Sequence, residues 1–185
     1  MNKLKVWHNT HDIAIVFGAG TAINTQLKAH NIPIEYVNGQ RKTCKDTMKI
    51  VSQVANDQQK RLYTLATEQG ITIEGTTKPV FTANTPLEKY GYVLEPEFAD
   101  LTEVRKIWSQ RKIALVSFIS HYKNELYNSN ADLSLSCLAI ATDADYIAYS
   151  VASNRDIIKN KSGATDFTEG FQMKLDQIQK VFNHF

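Results

Sequence analysis

Cysteine is nearly absent from this chain of 185 residues: only Cys44 and Cys137 occur, far apart and with no second thiol or imidazole at ligand spacing. Two such residues build neither a disulfide framework nor a zinc site, and they point to a reducing compartment, the cytoplasm. An excess of one charge sign is missing too. Lys and Arg number 21 against 19 Asp and Glu, a net of +2, which speaks against a nucleic-acid footprint or a polybasic membrane surface. No apolar run approaches the ~18–20 residues of a membrane-spanning helix. Near the start, His8, Asn9, His11 and Asp12 interrupt the chain before a signal-peptide core forms. With 8 Gly and 4 Pro it is neither collagenous nor of low complexity. What remains, 43% hydrophobic and 22% charged residues, is the composition of one soluble globular domain.

Buried strands are expected at 12–17, at 113–119 and at 145–150, because these runs are continuously apolar in the manner of parallel sheets. A shorter strand is expected at 34–37, followed by an Asn38-Gly39 turn. Helical spacing of Ile23 and Leu27 predicts a helix after the first strand, broken at Asn31 and Pro33. A long helix is expected over 43–69, stopped by Gly70. Asp100 and Glu103 have the spacing of a capping box, predicting a helix over 101–110. Leu135, Leu138 and Ala139 mark another over 131–142, and Phe171, Leu175, Ile178 and Phe182 one over 167–182. Between 71 and 98, Gly75, Pro79, Pro86 and Gly91 divide short strand-like pieces into what reads as small β-hairpins. The alternation predicts an α/β fold, a mostly parallel open sheet with helices on both faces, as a single domain over 1–185.

Ligands of such sheets bind at the carboxyl ends of the strands. There the chain carries Gly18-Ala19-Gly20, a loop leading into a helix. Its glycines either let backbone N–H groups approach an anion or serve a tight turn. Ile23 stands where a dinucleotide fingerprint has its third glycine, and no Gly-Lys-Ser/Thr follows, so neither that fingerprint nor a Walker A loop is complete. Arg41 follows a turn and reads as a carboxylate clamp or a surface arginine. Asn128, Asn130 and Asp132 cluster before a helix, as turn and cap residues or as a site. Lys174 on the last helix reaches a phosphate or simply faces solvent.

Taken in order, these segments resemble the amino acid kinase family and, within it, the acetylglutamate kinases. The family's Gly-Gly-Gly loop is matched by Gly18-Ala19-Gly20. Its Phe-Val-Asn-Gly-x-Arg-x-Thr segment is matched by Tyr36-Val37-Asn38-Gly39-Gln40-Arg41-Lys42-Thr43, and a Gly-Tyr-Val piece by Gly91-Tyr92-Val93. Tyr127-Asn128-Ser129-Asn130-Ala131-Asp132 matches Tyr-Asn-x-Asn-Ala-Asp without a gap, and Gly170-Phe171-Gln172-Met173-Lys174 matches a late Gly-Met-x-x-Lys element. The resemblance implies a three-layer sandwich and transfer of the ATP γ-phosphoryl group to the side-chain carboxylate of N-acetyl-L-glutamate, in arginine biosynthesis. Magnesium would arrive on the nucleotide, with no dedicated protein metal site. By matched position, backbone groups at Gly18 and Gly20 would serve the moving phosphoryl group, and Ala19 would lie against the acceptor. Arg41 would bind the acceptor's α-carboxylate and Asn128 would orient it. Asp132 would hold phosphate-binding lysines, Lys174 among them. A homodimer is the family's habit; neither nucleic acid nor membrane is an expected partner.

The chain also departs from that pattern. The family's first strand, with its lysine and Gly-Gly loop, has no match, nor does its C-terminal strand and helix. Ala19 replaces the middle glycine. Gly75-Thr76-Thr77-Lys78 lacks the family's glycine and aspartate, and Ser150-Val151-Ala152-Ser153-Asn154 stands where an Asp-Val-x-Gly nucleotide loop is expected. These departures keep a second reading open: a catalytically degenerate or truncated kinase-fold protein that binds an acetylated amino acid as a regulatory ligand.

Overall fold

The structure, a computed structural model, describes residues 2–37, 40–148, 158–159 and 165–166. In chain order the elements are α1 (Asn2–His8), β1 (Ala14–Phe17), α2 (Gly20–Ala29), β2 (Tyr36–Val37), β3 (Gln40–Arg41), α3 (Lys45–Glu68), β4 (Ile73–Gly75), β5 (Phe81–Thr82), β6 (Phe98–Ala99), α4 (Thr102–Ser109), β7 (Ile113–Ser117), β8 (Ser120–Tyr122), β9 (Glu125–Tyr127), α5 (Ala131–Ala141), β10 (Ile158–Lys159) and β11 (Thr165–Asp166). The Asn38-Gly39 turn and the helix expected at 167–182, with Lys174, lie outside the described residues.

A parallel sheet in the order β1-β7-β4 organises the fold. Its central strand alternates between two cores, because successive side chains of a strand point to opposite faces. Ile113 and Leu115 join Phe17, Ile23, Leu27, Met48 and Val51 in one cluster, under α2 and α3. Ala114 and Val116 join Val104, Ile107, Cys137 and Leu138 in the other, under α4 and α5. Helices therefore cover both faces of the sheet, and the four residues from Ile113 to Val116 are each 0% exposed. The matching apolar run in β1 is only half-buried at Ala14, Ile15 and Val16 rather than buried on both faces. Among the described residues it stands at the edge of the sheet, with one neighbour where β7 has two.

A second sheet, β6-β5-β8-β9, extends beyond the carboxyl end of the first. Its formation corrects the hairpin expectation for 71–98. Ile73–Gly75 is a strand of the central parallel sheet, paired with β7. Phe81–Thr82 pairs antiparallel with β6 and parallel with β8. Tyr90 ends a 3-10 turn, and residues 91–93 make isolated bridges, Thr43 with Gly91 and Val93 with Asn128. The partners come from sequence-distant segments, which local turn signals do not encode. The strand expected at 145–150 is also corrected over its described part: residues 145–148 are exposed and in no strand, with Tyr146 85% exposed. The apolar side chains of that run have no described sheet neighbour to bury them.

The long helix stops where expected. Gly70, at φ +62, donates to Thr67 O while Ile71 N–H donates to Ala66 O, the two bonds of a Schellman end. The same paired bonds close α4 around Arg111, at φ +57. In α5 the inward set differs from expectation. Leu133, Ser134, Ser136, Cys137 and Leu138 are buried while Leu135 and Ala139 are half-buried, because the helix packs against both β1 and β6.

The capping box expected at α4 does not form: the N-cap is Leu101, which makes no side-chain cap bond, and Asp100 lies one residue outside it. Asp100 Oδ1 accepts from the Thr102 amide and hydroxyl. Glu103 does not reach back; its carboxylate accepts from the Thr77 hydroxyl at 2.5 Å and from the backbone amides of Thr77 and Lys78. It thereby ties α4 to the loop after β4. Burial pushes the Glu103 carboxyl up, but the bonds from Thr77 and Lys78 together hold it below its ordinary value. A carboxyl with a lowered folded-state pKa contributes stability above its unfolded pKa, and that contribution is lost as pH falls through the folded one. Glu103→Gln is therefore expected to flatten the decline in urea midpoint between about pH 5 and pH 3. An unchanged slope would show that the carboxylate is not bonded in this way.

Candidate active site

β1 ends at Phe17 and the chain turns at Gly18 into α2. A Cβ on Gly18 would lie 3.3 Å from Ala131 Cβ, so the loop is pressed against the first residue of α5. Two helix N-termini thus abut at the carboxyl end of β1. They are not equivalent. Asn130 caps α5, its Oδ1 accepting from the amides of Asp132 and Leu133. At α2 the N-cap is Ala19, and among the described residues no side chain bonds the first-turn amides. Such amides, with the helix dipole behind them, are suited to an anion. Asn130, rather than Asp132, is the cap of α5.

Gly20 opens α2, and a Cβ placed there would meet nothing within 4 Å. Its φ is not positive, so neither backbone strain nor packing among the described residues explains a glycine. A glycine there leaves room for a ligand to approach the backbone. Ala19, which replaces the family's middle glycine, is 7% exposed and belongs to the buried cluster of Phe17 and Ile23. Its methyl group is thus accommodated in the core. Gly18→Ala is expected to lower stability, since Ala131 must shift by a few tenths of an ångström. Gly20→Ala is expected to leave the thermal midpoint unchanged, or slightly raised, while weakening anion binding. Equal losses of stability in the two variants would remove the argument for Gly20.

Arg41 is 6% exposed, not the surface arginine that spacing alone allows. Its Nη1 donates to Asn24 Oδ1 at 2.6 Å and its Nη2 to the Gly20 carbonyl at 3.4 Å. The guanidinium carbon stands 4.7 Å from the centre of the Tyr36 ring. All of these partners are neutral, and among the described residues no carboxylate pairs with Arg41. Burial lowers its pKa, against opposing contributions from Tyr36. A buried guanidinium without a counter-ion is costly unless an anion arrives to share the space.

Bonding continues from Arg41 toward α5. The Thr43 amide donates to Tyr90 O, and the Tyr92 amide donates to Thr43 O at 2.7 Å. The Asn128 amide donates to Tyr92 O, and its side-chain Nδ2 to Thr43 Oγ1 at 3.2 Å. Ser129 Oγ donates to Leu94 O, and Asn130 then caps α5. Gly18, Gly20, Arg41, Thr43, Gly91, Asn128 and Ala131 therefore close a ring around the end of β1. Asp132 sits in the first turn of α5 beside that ring. Lys174 lies outside the described residues. A separate surface groove lined by Asp12, Arg105, Trp108 and Arg111 lies at the opposite, amino end of the sheet.

The sequence pattern singled out Gly18, Gly20, Arg41, Asn128 and Asp132 but passed over Asn24, Tyr36 and Thr43 as contributors. Asn24 had a signal: it falls four residues after Gly20 and so shares its helix face. Thr43 had none apart from its place in the Arg41 motif, because Tyr90, Tyr92 and Asn128, to which it bonds, are distant in the chain.

Comparison with known proteins places these features in context. A model of the amino acid kinase family matches residues 1–151. Acetylglutamate kinase from Geobacillus sp. (strain WCH70) is 30% identical over 178 residues, covering 93% of this chain and 66% of the relative. Acetylglutamate kinase from Brevibacillus brevis is 31% identical over 141 residues, covering 72% of this chain and 53% of the relative. The solved structure of smu.665 from Streptococcus mutans UA159 superposes with a TM-score of 0.73 at 27% identity, covering 78% of this chain and 62% of that one. The chain spans about half to two thirds of the length of these relatives.

Proposed function

The chain belongs to the amino acid kinase family, and on that premise we propose that it is a phosphotransferase of the acetylglutamate kinase type. Its acceptor in this reading is N-acetyl-L-glutamate and its donor is ATP carrying magnesium. The acceptor's side-chain carboxylate oxygen attacks the γ-phosphorus, the bond to the β-phosphate oxygen breaks, and ADP leaves an acyl phosphate behind. Little covalent chemistry falls to the protein, which positions the reactants and offsets charge.

The observation that carries the proposal is Arg41: a buried cation, held by neutral groups, beside the open first turn of α2. Those neighbours suit an acceptor with one carboxylate on the arginine and another near the amides of Gly20 and Thr21. Asn128, anchored through Thr43, orients the acetylated amino acid, and Ala19 borders it. The backbone at Gly18 and Gly20 serves the transferring phosphoryl group. Asp132 and Lys174 are assigned the nucleotide side, Asp132 holding the lysine in place. Positive charge aimed at a developing phosphoryl charge is typically worth about 10²–10³ in rate.

The test is a titration with N-acetyl-L-glutamate and MgATP, separately and together, followed by trapping of the acyl phosphate with hydroxylamine. Saturation by both ligands with hydroxamate formation is the expected result. The second reading, a non-catalytic module that binds an acetylated amino acid, is favoured by Ser150-Val151-Ala152-Ser153-Asn154 in place of the nucleotide loop. Binding of the acceptor alone, with no hydroxamate, would establish it. Silence with both ligands would sink both readings.

A further inference from the structure

We infer that Asn24 and Tyr36 are positioning residues for Arg41, and that their hold on its guanidinium makes the site select a ligand carboxylate over the corresponding neutral amide. The inference rests on the reading of Arg41 as the acceptor's anchor and assigns the work of orienting it to two residues not otherwise placed in the reaction.

Three features carry it. Tyr36 and Arg41 are register partners across β2 and β3, so their side chains lie on the same face of the hairpin. The ring stacks 4.7 Å from the guanidinium carbon. Asn24 then binds both: its Oδ1 accepts from Arg41 Nη1 at 2.6 Å and from the Tyr36 hydroxyl at 3.3 Å. Gly20 O, one turn earlier on α2, takes Arg41 Nη2. The fork is held at two points by one helix face and along its plane by a ring from the hairpin. Of the five N–H donors an arginine carries, these bonds occupy two.

The chemistry of the holders matters as much as their placement. A carboxylate in the place of Asn24 would grip the fork while cancelling its charge. A carboxamide oxygen and a peptide carbonyl orient the cation and leave its charge for the ligand. Holding the side chain before the ligand arrives also removes the rotamer freedom that binding would otherwise have to quench. A flexible arginine would pay that cost for each carboxylate, whereas an amide ligand that does not engage the cation is indifferent to it.

The experiment measures binding of N-acetyl-L-glutamate and of its α-carboxamide analogue to the wild type, Asn24→Ala, Arg41→Met and the double variant. Asn24 is half-buried on a helix, where alanine is well tolerated. Asn24→Ala is expected to weaken the carboxylate ligand about tenfold and to leave the amide within about twofold. In the Arg41→Met background it should add nothing. Tyr36→Phe, which keeps the ring, should fall between wild type and Asn24→Ala. Equal weakening of both ligands by Asn24→Ala, or an undiminished effect in the Arg41→Met background, would overturn the inference by showing a merely structural link.

A ligand-free readout separates this inference from the proposed function. Nitrogen NMR of the arginine side chains should show the Arg41 Nη groups resolved and slowly rotating in the wild type, and averaged in Asn24→Ala. If the acetylated amino acid fails to bind at all, the functional reading fails while this spectrum still decides the positioning role. An averaged Arg41 signal in the wild type would overturn it.

Discussion

Replacing Gly91 by alanine is expected to lower folding stability by about 3–5 kcal/mol, from backbone strain and a steric clash acting together. Gly91 has φ +80 and ψ −128, a region that side-chain-bearing residues essentially do not enter. A Cβ built there would stand 2.5 Å from the carbonyl oxygen of Thr43 and 3.2 Å from its carbonyl carbon. Those atoms are backbone and cannot swing aside. They also belong to a short ladder, in which the Thr43 amide donates to Tyr90 O and the Tyr92 amide to Thr43 O. Relief of the clash must therefore pull the Arg41 segment away from the segment that meets Asn128. A urea titration reads the loss directly as a lower midpoint. Ligand affinity should fall along with stability, because both sides of the ring move. A change below about 1 kcal/mol would mean that this backbone approach does not exist in solution.

Arg41→Met is expected to show the opposite combination, a stable protein that no longer binds an acidic ligand. The substitution removes a cation that is 6% exposed and has no described carboxylate partner. Exchange of a buried charge for an apolar chain of similar volume is often neutral or stabilising. It leaves Asn24 Oδ1 and Gly20 O without their donor, which offsets part of the gain, although Tyr36 still donates to Asn24. The net change in stability should stay within about 1 kcal/mol of zero. Loss of a charged anchor in a largely desolvated site typically costs about 2–5 kcal/mol in binding. Affinity for N-acetyl-L-glutamate should accordingly fall by a factor of at least about 30, read by calorimetry. Wild-type affinity in this variant would remove Arg41 from the site. A loss of stability above about 3 kcal/mol would instead make it a structural residue.

The two variants test different parts of one arrangement. Gly91 lets two segments approach, and Arg41 uses the space that the approach creates. Both belong to motifs visible in the sequence, yet the reason for each differed in legibility. Gly91 stood in a stretch that reads as hairpins by its glycines and prolines. Its structural role is instead a single contact with Thr43, 48 positions earlier (91 − 43). Arg41 looked by spacing like any charged residue beside a turn. Its burial follows from α2 lying across the hairpin, which is a property of packing.

What the sequence by itself determined is the part governed by short-range rules. The apolar run before Gly18 specified β1, the glycine loop specified the start of α2, and the spacing of Met48, Val51 and Val54 with Gly70 specified α3 and its end. Strand and helix alternation then required a parallel sheet covered on both faces, because crossovers of that kind have few packed solutions. The tertiary structure alone decided the rest: the second sheet, the exposed run at 145–148, the bond from Glu103 to the Thr77 loop, and the ring from Gly18 through Arg41 to Ala131. Strands of two or three residues are too short to show a period, and hydrogen bonds between distant segments leave no mark on local composition. Those contacts exist only once the helices have settled on the sheet and brought the strand ends together.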